Sequence, residues 1–250
     1  MRTFFDLSQS DLIALAFFGI VWALFNYAAE GVIFRRPSLT VAMNLQRINW
    51  ISTMARRDLR MIDTAIMQGL QQGTAFFASS SLIAVGGCFA LLGTPDTLMT
   101  LLADLPYAPP PSRLLFELKV IGLVVILAYA FFKFGWAYRL FNYCSILIGA
   151  VPMAAETREN PKAADRAVRR AARMNILAAR HFGAGLRAVF FSVGYLGWFI
   201  HAYALMATTL LLLAVLTRRQ FFSAARAAVL DGLEPHSGEG RRLRVFPDKR

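Results

Sequence analysis

Ionic side chains are scarce in this chain. Only 17% of its 250 residues are Asp, Glu, Lys or Arg, where about 25% is usual for a soluble protein. The apolar residues make up 57% of the chain, and mean hydropathy is +0.49. A soluble domain of this size has too little interior to hide that much apolar surface, which excludes a soluble enzyme or binding module. Cysteine is nearly absent too. Cys88 and Cys144 both fall in apolar surroundings, so neither a disulfide framework nor a cysteine metal site is expected. Three histidines are a thin supply for metal or haem. There is no phosphate loop, no dinucleotide glycine fingerprint, no paired His-Glu metalloprotease signature and no Gly-x-Ser-x-Gly elbow. Accordingly no catalytic residue, metal or cofactor is assigned.

What the chain does have is long apolar runs. Four are long enough to cross a bilayer, which takes about 20 helical residues: 12–29, 74–93, 114–135 and 189–216. The last holds 28 residues without an ionised side chain. As one helix at ~1.5 Å per residue it would overshoot the ~30 Å hydrocarbon core. It must tilt, protrude or break near Gly194, Gly197 and His201. A break would turn residues 182–216 into two crossings. The expected fold is therefore an all-α membrane protein, a four-span helical bundle with five crossings possible. Residues 1–217 form the transmembrane domain, and 218–250 form a basic, partly disordered tail.

Basic residues dominate the ionic minority, with 27 Lys and Arg against 15 Asp and Glu. Arg35, Arg36, Arg47, Arg56, Arg57 and Arg60 lie between the first two spans, and ten more Lys and Arg lie from Lys133 to Arg187. Basic residues near span ends favour the cytoplasm. The two long connections are thus expected inside, the amino terminus and the proline-rich loop 94–112 outside. Four spans score 16 basic residues inside against 5 outside; five spans score 19 against 2. The setting implied is a bacterial inner membrane.

Two connecting segments extend as cytoplasmic helices. Residues 38–69 read as one long helix, opening after Pro37 with Ser38 as cap. Arg47 and Asp58 fall inside its apolar arc, so each is expected to find a buried partner. Residues 163–187 form an alanine-rich helix. On it Arg166, Arg169, Arg170, Arg173, Arg180 and Arg187 project within roughly 100° of one another. That stripe suits anionic lipid headgroups, ion pairs with acids such as Asp58 and Asp63, or an anion path. Nucleic acid does not fit, because no reading module accompanies the stripe. Within these alternatives, Asp58 is expected to form a structural ion pair with Arg180 or Arg187. In the fourth run His201 is an intramembrane polar candidate, expected to bond a carbonyl rather than hold haem. Ser80, Ala84 and Cys88 recur every four residues in the second span, the small-residue spacing that lets helices approach closely.

Several strings resemble the bacterial and plant membrane family catalogued as domain of unknown function 599. They are Arg47-x-x-Trp50-x-x-x-Met54-x-Arg56-Arg57-Asp58-x-Arg60-x-x-Asp63, Phe76-Phe77-Ala78-Ser79, Phe134-x-Trp136-x-x-Arg139-x-x-Asn142-Tyr143, His181-Phe182-x-x-Gly185-Leu186-Arg187 and Gly197-Trp198-Phe199. The resemblance implies a membrane location and supplies no activity or catalytic residue. Two classes of function stay open. One is a non-enzymatic membrane protein, either an oligomeric pore or carrier for small ions or a scaffold subunit. The other is a membrane-embedded enzyme or redox subunit using His201 and Arg139. The expected partners are the bilayer, anionic headgroups and further copies of the chain.

Overall fold

The structure is a computed structural model that describes residues 7–31, 37–93 and 112–231. The first helix, α1 (Gln9–Ala29), opens on a capping box. Ser8 accepts from the Asp11 amide while the Asp11 carboxylate accepts from the Ser8 amide. This satisfies donors that a helix start otherwise leaves bare. At its other end Gly31 adopts φ +81°. A β-carbon there would stand 2.8 Å from Val41 Cγ2, so backbone and space both demand glycine. Ser38 then caps α2 (Leu39–Met54), and its hydroxyl donates to the Ala29 carbonyl at 2.6 Å. One buried serine thus pins the start of α2 to the end of α1.

The predicted single helix over 38–69 is two helices. After α2 the amides of Arg56 and Arg57 bond the carbonyls of Thr53 and Met54, closing the helix in tight turns. The chain then starts α3 (Met61–Gly93). On a continuous helix Trp50 and Asp63 would stand about 20 Å apart. Folded back, the Trp50 indole reaches the Asp63 carboxylate at 2.7 Å. That buried hydrogen bond favours the reversal over continued helix.

The helix α4 (Arg113–Gly149) runs well past the apolar segment that marked it. A short α5 (Ala154–Glu159) precedes α6 (Pro161–Tyr195). Asn160 caps α6 by accepting from the Ala163 amide at 3.1 Å, and Pro161 takes the first helical position, where a missing N–H costs nothing. A 3-10 turn (Leu196–Phe199) follows, then α7 (Ala202–Phe221) and α8 (Ala224–Leu230). No strand occurs among the described residues.

The 28-residue apolar run is therefore broken, at the place its glycines and histidine marked. A β-carbon on Gly197 would meet Thr208 Oγ1 at 2.5 Å and the Ala204 carbonyl at 2.8 Å. The Thr208 hydroxyl donates across to the Gly194 carbonyl at 2.7 Å. Missing side chains and one cross-bond let α6 and α7 meet as a tight hairpin. Five helices are consequently long and apolar enough to cross a membrane: α1, α3, α4, α6 with its 3-10 turn, and α7 with α8. The protein is an all-α integral membrane protein.

Its core has two parts. Phe18, Phe134, Phe191, Tyr195 and Trp198 centre the first, among the spans. Ile51, Met54, Phe141, Cys144, Ala171 and Ala172 centre the second, where α2, α4 and α6 extend beyond the apolar runs. Small residues on α6 bring α4 close. A β-carbon on Gly185 would sit 2.7 Å from the Phe134 ring. The start of the tail is not separate from this body. Gln220 bonds Thr40, Arg226 bonds the Pro37 carbonyl and Gln46 bonds the Val229 carbonyl, so α8 is docked on α2. The proline-rich loop except Ser112, and residues 232–250, lie outside the described residues.

Candidate functional site

Among the described residues, three collections of polar groups join helices that bear charged side chains, and Gln71 bonds Asn142 and Ser145 between α3 and α4 apart from them. At one end of the bundle, Asp11 of α1 accepts from the Trp198 indole at 2.7 Å. Lys119 of α4 stands 5.4 Å from the centre of the Trp198 ring. Nearer the other end of the spans, Arg187 of α6 donates to Asn26 Oδ1 at 2.5 Å and to Glu30 Oε1 at 3.2 Å. Its side chain is 10% exposed, that of Glu30 33%. Aromatic rings fill the space between these two groups. Phe18, Trp22, Phe191 and Tyr195 touch at centroid separations of 5.6 to 5.9 Å.

The third collection is the largest and is built almost wholly from the 47–63 segment. Asp63 is fully buried. Its Oδ1 accepts from Trp50 at 2.7 Å and from Arg57 at 3.3 Å. Arg60 donates to the carbonyls of Val151 and Pro152 at 2.7 and 2.5 Å, which ties the α2–α3 turn to the α4–α5 turn. Arg47 donates to Asn175 Oδ1 at 2.5 Å. Asn175, wholly buried, turns its amide towards Met67 and Cys144. Burial draws the Arg47 guanidinium below its ordinary pKa. Arg47 Nε, Arg60 Nε and Asp63 Oδ2 have no partner among the described residues. The knot therefore clamps α2, α3, α4 and α6 together. Among the described residues no cluster of three His, Cys, Asp or Glu could hold a metal.

Outside the knot, α6 carries an open groove of about 430 Å³ lined by Arg166, Arg169, Arg170 and Arg173. Arg169 pairs with Asp165 one turn earlier. Arg166 and Arg170 make no ion pair among the described residues. The predicted six-arginine stripe thus divides. Four members share the groove, Arg180 is exposed further along, and Arg187 is buried against Glu30.

Two expected placements are corrected. Asp58 does not pair with Arg180 or Arg187. It is exposed, in the turn that ends α2, because the helix on whose wheel it was placed stops at Met54. The buried carboxylate is Asp63, five residues on, and the partner of Arg187 is Glu30. His201 is not in mid-span either. It caps α7, its Nδ1 accepting from the Tyr203 amide at 3.2 Å. The spacing signal at Ser80, Ala84 and Cys88 is also offset, since Thr74, Ser81 and Cys88 are the residues buried in the apolar run of α3 while Ala84 is exposed. Arg139 and His201, paired in the enzyme reading, stand at opposite ends of α4. Phe116 at its start touches Phe199 beside the His201 turn, and Arg139 follows 23 residues later, about 35 Å along the helix. Arg139 instead donates to the Tyr143 hydroxyl and lies over the Trp136 ring.

The 47–63 knot is where the strongest of the resembling strings comes together in space. The family described as "Protein of unknown function, DUF599" matches residues 13–225. This chain belongs to the DUF599 family. The match takes in the knot, the arginine groove and the five spanning helices except the first turn of α1 and residues 226–230 at the end of α8. No curated protein and no solved structure matches the chain. For this DUF599 member, then, function has to be argued from its own geometry.

Proposed function

We propose that this DUF599 chain is a non-enzymatic scaffold of a bacterial cytoplasmic membrane, whose α6 arginine face gathers phosphate headgroups of anionic lipids on the cytoplasmic side. The observation that carries the reading is the groove. Four arginine side chains line one open volume of about 430 Å³, and Arg169 of the four pairs with Asp165. Guanidinium matches phosphate oxygens with paired donors, and each basic group near an anionic surface contributes roughly 1 kcal/mol. The five-helix count supports the orientation, because it brings the docked tail to the same side as both arginine-rich connections and sharpens the charge asymmetry.

A pore through one bundle is less well supported than a scaffold. The aromatic packing between the Asp11 and Arg187 groups offers ions no polar lining. The enzyme reading loses its constellation with the separation of His201 from Arg139.

The test uses the full chain in a neutral detergent, with its thermal unfolding midpoint followed as phosphatidylglycerol or phosphatidylcholine is added. The anionic lipid should raise the midpoint more, and raised salt should shrink the difference. An Arg166→Gln/Arg170→Gln variant should lose at least half of that difference. An equal response of variant and parent would remove the groove from the account.

A further inference from the structure

The string His181-Phe182-x-x-Gly185-Leu186-Arg187 brings two ionisable groups of α6 to one end of the spans. Arg187 meets α1 there, with Nε on Asn26 and Nη2 on Glu30. His181 meets α4, its ring 6.4 Å from that of Trp136. From α4 also comes Lys133, whose Nζ stands 5.2 Å from the centre of the Tyr129 ring. These groups share one neighbourhood. Lys133 and Glu30 both lie within electrostatic reach of His181, and Glu30 and Tyr129 within reach of Arg187. A ring contact between Trp22 and Tyr129 at 5.6 Å bounds it on the side of the aromatic core.

Most donors in this neighbourhood are unused. Arg187 Nη1, Lys133 Nζ, the Tyr129 hydroxyl and both ring nitrogens of His181 make no hydrogen bond or ion pair among the described residues. Nor are they sealed in. Tyr129 is 39% exposed, the Glu30 side chain 33%, and Lys133, His181 and Gly183 are half-buried. Gly183 leaves Arg187 uncovered, because a β-carbon there would stand 3.3 Å from Nη1. With a neutral imidazole, Lys133 and Arg187 outweigh Glu30 by one positive charge. Withdrawing such groups from water with donors unmet costs free energy. An anion provides both the missing acceptors and the missing charge.

We propose that this opening between α1, α4 and α6 binds an anionic phosphate group. A tetrahedral phosphate presents oxygens in several directions, which suits a guanidinium, an ammonium and an imidazole arriving from two helices. The depth is right as well. Lys133 lies two residues before the end of the apolar run 114–135, and His181 just before the run 182–216, which is the level of the headgroups. Basic pockets between spanning helices on the cytoplasmic side hold acidic headgroups. A headgroup and a free cytoplasmic phosphate share the chemistry that these donors recognise. The site is separate from the arginine groove and does not rest on it. His181 lies eight residues beyond Arg173, about 12 Å along α6.

The test follows the imidazole NMR signals of the full chain, labelled at histidine, in nanodiscs of phosphatidylcholine. Phosphatidylglycerol is added at fixed pH in one series; inorganic phosphate replaces chloride at fixed ionic strength in the other. The His181 signal, assigned by its loss in His181→Gln, should move saturably in at least one series. The His201 signal, from the far end of the spans, should stay in place. Movement with phosphatidylglycerol alone identifies a lipid headgroup, and movement with inorganic phosphate identifies a site open to soluble phosphate. Lys133→Gln removes a side chain that bonds nothing within the chain, so the fold should persist while the movement falls several-fold. Arg166→Gln/Arg170→Gln should leave the movement unchanged. A His181 signal that stays still in both series, moves equally in Lys133→Gln, or moves only while Arg166 and Arg170 are present would overturn the proposal.

Discussion

Replacing Asp63 by alanine should destabilise the fold more than any other single carboxylate change in α2, α3, α5 or α6. The side chain is 0% exposed, and its Oδ1 takes the Trp50 indole at 2.7 Å and Arg57 at 3.3 Å. A hydrogen bond to a charged group is worth about 1.5–3 kcal/mol, and its loss leaves a buried indole N–H unpaired. Arg57 is 40% exposed, so its share is screened and adds roughly 0–1 kcal/mol. The expected cost of Asp63→Ala is therefore about 2–4 kcal/mol. Unfolding by SDS titration in mixed micelles reads it directly. A double-mutant cycle with Trp50→Phe isolates the shared part, which should be about 1.5–3 kcal/mol. Asp58→Ala serves as the contrast, with an expected change within about 0.5 kcal/mol for an exposed site. Additive losses in the cycle, or an Asp58→Ala cost equal to that of Asp63→Ala, would refute the reversal of the chain between α2 and α3.

Other changes probe the remaining joints. Arg187→Ala should cost about 2–4 kcal/mol in the same titration, somewhat below the usual loss from breaking a buried pair because Glu30 is a third exposed. Gly185→Ala should cost about 1–3 kcal/mol, since the added carbon drives Phe134 from its place. His201→Ala should cost only about 0.5–1 kcal/mol, the worth of a helix cap, and leave absorbance between 400 and 600 nm unchanged.

The membrane class, the spans and the arginine face of α6 were legible because they rest on composition and on the helical period, which need no knowledge of neighbours. The break at Gly194, Gly197 and His201 was legible as a place, since a 28-residue apolar run is too long for one crossing. Asp63 was not. On an uninterrupted 38–69 helix it would lie on the polar side with Arg56, Arg57 and Arg60, and nothing in the periodicity signals that the chain doubles back at residues 55–60. The dense charge there, four ionic residues in five, was the available hint. Asp58 failed for the same reason, its place on the wheel belonging to a helix that does not exist. Asn175 and Glu30 were missed because a polar residue among alanines, or just beyond a span, carries no sign of its distant partner. The knot joins short-range bonds within the 47–63 segment to contacts made 91 to 128 residues further along the chain.

The count and orientation of the spans underlie the placing of the knot, the groove and the tail, and cysteine accessibility measures them together. Single cysteines are introduced at Ser10, Asn160 and Ser237 and exposed in intact cells to a maleimide that does not cross membranes. Five crossings with the arginine-rich segments in the cytoplasm predict labelling at Ser10 alone, with Asn160 and Ser237 reacting only after the membrane is opened. Labelling of Ser237 in intact cells alongside Ser10 would mean four crossings and contradict the hairpin of α6 and α7. Labelling of Asn160 would put the arginine groove on the outer face, and the proposed function would fall with it.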